Sequence, residues 1–121
     1  MAGNDDTQLL IEIQKAIDDL KAAMPNFKVR EGRARNTLEN IERALKNMAA
    51  PPYSSKGMFM VDPMTSTLYY LNWTGIELDI VLRKGDEMTN VSAAQAPPLV
   101  AVAAFEAQPE FLNDLLAQVK K

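Results

Sequence analysis

Leu68-Tyr69-Tyr70-Leu71-Asn72-Trp73-Thr74-Gly75-Ile76-Glu77-Leu78-Asp79-Ile80-Val81-Leu82-Arg83 is the stretch in which the hydrophobic period of the chain becomes two. β-Branched, leucine and aromatic residues fill both halves and Thr74-Gly75 interrupts them, so the stretch reads as two antiparallel strands with a short connection. Ile76, Leu78, Ile80 and Leu82 point to one side of the second strand, and Glu77, Asp79, Val81 and Arg83 to the other. Upstream, Met58-Phe59-Met60-Val61 is another run of strand formers, set off by Asp62-Pro63-Met64-Thr65-Ser66, a turn by composition. Downstream, Lys84-Gly85-Asp86-Glu87 is the next turn and residues 88–91 read as a short edge strand. Residues 99–105 read as a further strand, small enough at its alanines to lie under a helix. The expectation is an antiparallel sheet of about four strands over residues 57–105.

On either side of this region the period is helical. Leu10, Ile13, Ile17, Leu20 and Met24 alternate steps of three and four, widened by Leu9 and Ala16, and predict a helix over 6–24 that ends before Pro25. Ala34, Leu38, Ile41, Leu45 and Met48 repeat the spacing and predict a second helix over 31–49, stopped by Pro51-Pro52. The short segment between them predicts an antiparallel helix hairpin over 6–49 with the two stripes facing. Pro109 suits the first turn of a C-terminal helix over 109–120, with Phe111, Leu112, Leu115, Leu116 and Val119 on one face. The fold class is α+β, and residues 1–121 read as a single domain.

Composition narrows the chemistry. With 47% apolar and 24% charged residues in 121, the chain is an ordinary globular sequence. It has no cysteine and no histidine, which removes disulfides, thiolate zinc sites, cysteine nucleophiles, Ser-His-Asp triads and the usual proton shuttle. The formal charge of −3 disfavours whole-molecule attraction to nucleic acid or anionic lipid. The N-terminus has neither the basic nor the apolar segment of a secretory signal, and no apolar run approaches the roughly 18 residues that span a bilayer. A cytoplasmic location with no membrane association is expected.

Candidate sites follow from residue type. Glu77 and Asp79, two apart on one strand face, form the best carboxylate pair for a cation or for acid and base roles, yet no third ligand is identifiable by spacing. The polar face of a half-solvated sheet gives the same pattern. Ser54-Ser55-Lys56-Gly57 offers hydroxyls and a lysine for phosphate but lacks the glycine framing and following helix of a Walker loop. Neither catalytic residue nor metal nor cofactor is assigned.

Residues 28–46 carry six basic side chains against three acidic ones in an otherwise acidic chain. Arg30, Arg33 and Arg35 therefore read as a docking patch for an acidic surface or, with Tyr69, Tyr70 and Trp73, as a backbone-plus-stacking site for single-stranded nucleic acid. Met58 and Met60 share one apolar face of their strand, and Phe59 and Val61 the other, so one sheet face needs covering by a helix or another molecule. The expected function is that of a small, acidic, non-enzymatic protein-binding module of the chaperone, inhibitor or immunity type. Its contact residues would be Arg30, Arg33, Arg35, Met58, Met60, Tyr69, Tyr70 and Trp73, with a homodimer as one form of partner. Single-stranded nucleic-acid binding is the alternative.

Overall fold

A helix of 46 residues, α1 (Ala2–Asn47), opens the chain. Five strands follow, β1 (Tyr53–Ser54), β2 (Phe59–Asp62), β3 (Thr67–Trp73), β4 (Leu78–Lys84) and β5 (Glu87–Val91), then α2 (Pro98–Glu106) and α3 (Gln108–Val119). The structure, a computed structural model, describes residues 2–55, 59–62, 67–92 and 95–121. The fold is α+β with an antiparallel sheet and a C-terminal helix. Contacts divide the chain into two compact units, Met1–Arg30 and Glu31–Lys121.

In the sheet the order is β1-β3-β4-β5, and β2 pairs with β3 as well. The quoted stretch forms its centre: β3 and β4 pair antiparallel from Trp73↔Leu78 to Thr67↔Lys84. Their connection depends on Thr74, whose Oγ1 accepts the Ile76 and Glu77 amides at 3.2 and 3.0 Å, and on Gly75, which sits at φ +97°. A side chain there would be strained by that φ, with its Cβ in contact with Pro52. Gly85 at φ +63° opens the two-residue turn from β4 to β5, the position at which a type II′ hairpin needs glycine.

The core lies within Glu31–Lys121. Leu38 and Leu45 of α1 meet Leu71 and Trp73 of β3 and Leu78 and Ile80 of β4. Val100, Ala101 and Ala104 of α2 and Phe111 and Leu115 of α3 complete the cluster. The alternation is kept from Leu78 onward, because Leu78 and Ile80 are buried and Leu82 packs against the cluster, whereas Ile76, read as the first inward residue, precedes β4 and is exposed. Val81, on the opposite face, is buried too, at 3% exposure. Trp73 is fully buried, and its indole N–H donates to the Ala50 carbonyl at 3.0 Å. Just past the end of α1, Ala49 adopts φ +54° and the Ala50 amide reaches back to the Leu45 carbonyl at 3.0 Å, the closure of a Schellman cap.

Two sequence expectations are corrected. Residues 25–30 are helical and α1 runs through them, so the hairpin expected over 6–49 is replaced by one helix with Pro25 inside it. Proline removes one backbone hydrogen bond from a helix but does not forbid it, and beyond Pro25-Asn26 nothing in Phe27–Arg30 favours a chain reversal. Residues 99–105 belong to α2, not to a strand, and the sheet ends at Val91. Pro98 suits the first turn of that helix and the alanines are strong helix formers; the buried set 100, 101 and 104 has helical spacing.

Candidate interaction surface

Within Met1–Arg30 the apolar positions Leu10, Ile13, Ile17, Leu20, Met24 and Phe27 fall on one line of α1. Leu10 is 63% exposed, Ile17 40% and Leu20 60%, whereas Met24 and Phe27 are half-buried. Leu9 widens the open apolar area, and Ile11 is exposed on the other side of the helix, beside Asp18. Glu12, Lys15, Asp18 and Asp19 lie off this line, so the helix has a wet side and a dry side as an amphipathic sequence requires. Isolated exposed leucines are ordinary; a continuous row of them along several turns is not.

A second feature lies in the Glu31–Lys121 unit. Glu42, Glu77 and Asp79 line an open cleft of about 490 Å³ together with Asn90, Ser92 and Gln95. Glu42 Oε2 accepts the Leu78 amide at 2.8 Å, which fixes this carboxylate at the start of β4. Burial, then the charges of Glu77 and Glu42, then a hydrogen bond with Glu77 hold the Asp79 carboxyl above its ordinary value. Among the described residues no cluster of three or more acidic, histidine or cysteine side chains has an arrangement that could hold a metal ion.

The residues singled out from the sequence are dispersed. Arg30 and Arg33 are exposed on α1. Arg35 is half-buried: its Nη2 meets Glu31 Oε2 at 2.8 Å and donates to the Ala96 carbonyl at 2.8 Å, so it ties α1 to the segment before α2. Trp73 is part of the core and presents no ring to a ligand. Tyr70 is half-buried and pairs with Val81 across the sheet. Tyr69 pairs with Leu82 and Met60 with Leu68, while Met58 lies outside the described residues. Of the serine-lysine segment, Ser55 Oγ accepts the Leu71 amide at 3.0 Å and extends the β1 ladder; Lys56 and Gly57 lie outside the described residues.

Local spacing does not reveal the role of Glu42, which lies 36 residues from Leu78 and has the pattern of a helix-surface charge. It does reveal the apolar stripe, but not that its side chains from Leu10 to Leu20 are exposed. Comparison with protein-family models, curated proteins and solved structures finds no match to this chain. No helix among the described residues is long and apolar enough to cross a membrane.

Proposed function

We propose that this chain is a non-enzymatic, cytoplasmic protein-binding module whose contact face is the apolar line from Leu10 to Phe27 on α1. The observation that carries the reading is the exposure of this line from Leu10 to Leu20, about three turns of helix, at positions whose spacing suits another helix. An amphipathic helix left open to water offers apolar area to a groove or a helix of similar pattern. The absence of cysteine and histidine from the sequence supports binding over catalysis. Trp73 buried in the core and Arg35 engaged with Glu31 and Ala96 weigh against a stacking site for nucleic acid.

The test is the double variant Ile17→Asp/Leu20→Asp. The intact chain should associate with a defined protein, itself included, and the variant should lose that association while its unfolding transition stays in place. A binding partner retained undiminished by the variant would remove this face from consideration.

A further inference from the structure

We propose that the occupant of the Leu10–Phe27 face is a second copy of the same chain, in a parallel, in-register, two-stranded coiled coil. This rests on the reading of that face as the contact surface and names its partner. Three independent properties of the helix carry it.

The first is period. Steps of three and four place Leu10, Ile17 and Met24 at a and Ile13, Leu20 and Phe27 at d of successive heptads, with no skipped position. A repeat of 3.5 drifts by roughly 20° per heptad around a straight helix, and supercoiling around another helix keeps it facing its partner. The second is core shape. The central heptad sets β-branched Ile17 at a and Leu20 at d, the combination that favours two parallel strands, whereas Leu10 at a and Ile13 at d in the first heptad favour a higher number, so the two-stranded state rests on the central heptad.

The third is charge. In parallel register each g residue faces the e residue five positions on in the other copy, which brings Leu9 to Gln14, Ala16 to Lys21 and Ala23 to Lys28. No like charges meet in these three pairs, and the lysine stems lie over small apolar neighbours. Antiparallel packing sets e against e, which would gather Lys21 and Lys28 of both copies along one edge. Glu12, Asp18 and Asp19 fall at b and c, away from the seam and in water. The helix is already nucleated, since α1 continues to Asn47 and Leu38 and Leu45 near that end are core side chains.

The chain has no native cysteine, so single introduced thiols report geometry without background. Asp6 occupies the d position one heptad before Ile13, and Lys15 the outward f position. Light scattering on the intact chain should give about twice the 13.4 kDa of one copy. Under mild oxidation Asp6→Cys should form a disulfide-linked pair at least ten times faster than Lys15→Cys, because only parallel register brings two copies of position 6 together. A single-copy mass at about 100 μM, where a pair with a Kd on the order of 10 μM is mostly associated, overturns the second-copy proposal. If Ile17→Asp/Leu20→Asp then abolishes binding to a different protein, the contact-face reading survives that failure. A dimer that persists in Ile17→Asp/Leu20→Asp overturns both, and equal oxidation rates overturn the parallel register.

Discussion

The amide of Leu78 donates to Oε2 of Glu42 at 2.8 Å, so a carboxylate on α1 holds the first residue of β4. Glu42→Ala leaves a partly buried amide without an acceptor and is expected to lower stability by about 1–3 kcal/mol. Glu42→Gln keeps an acceptor oxygen and should recover most of that loss. Urea unfolding of the two variants separates them; equal destabilisation would mean that charge, not the hydrogen bond, matters at this position.

Asp79 gives the stability a pH dependence of definite sign. Its carboxyl is raised in the folded protein, chiefly by burial and then by Glu77 and Glu42, so the folded state holds the proton more tightly than the unfolded chain does. The resulting stabilisation is complete below the unfolded value and is lost as pH rises through the folded one. Asp79→Asn should therefore stabilise the protein at neutral pH, by roughly 0.5 kcal/mol after solvent screening, and the gain should disappear in acid. Paired urea titrations at neutral and acidic pH check this, and a gain independent of pH would contradict it.

Two backbone exchanges in opposite directions should both stabilise. Ala49 sits at φ +54°, where glycine is unstrained, so Ala49→Gly is expected to gain about 0.5–1 kcal/mol. Gly32 lies inside α1 with open space where a methyl group would project, so Gly32→Ala should gain a similar roughly 0.5–1 kcal/mol. Thermal melts of both, and of the pair, test the values and their additivity.

Arg35 and Arg33 are expected to differ sharply although both belong to the basic segment. Arg35→Lys cannot reproduce a guanidinium that meets Glu31 and the Ala96 carbonyl together, and should lose roughly 1–2 kcal/mol. Arg33→Ala, at an exposed position, should stay within about 0.5 kcal/mol of the parent. A denaturant series on the two variants decides it.

The sheet is legible because strand formers fill residues 68–73 and a period of two over residues 76–83 admits few other structures, and the last helix because Pro109 and its stripe agree. Residues 99–105 mislead because a segment apolar on every side has no period; Pro98 and three alanines are the available sign of a helix. At Pro25 the stop signal is weaker than the pattern around it. The stripes on its two sides keep one phase, Met24 and Phe27 continuing to Ala34 and Leu38 with the charged Glu31 at the position between, which one helix requires and a hairpin does not. The bonds of Glu42 to Leu78 and Arg35 to Ala96 join positions 36 and 61 apart, and no local spacing encodes them. Whether an amphipathic face is covered depends on the rest of the fold, so the stripe is visible in the sequence and its openness is not.

Among the described residues every side chain of the core comes from residue 34 or later, whereas residues 6–23 are exposed throughout. Mutation in that early segment is expected to be nearly silent for folding and, under the proposed binding role, audible only to the partner. Such a chain can be retargeted by drift along one row of side chains while its foundation stays unaltered.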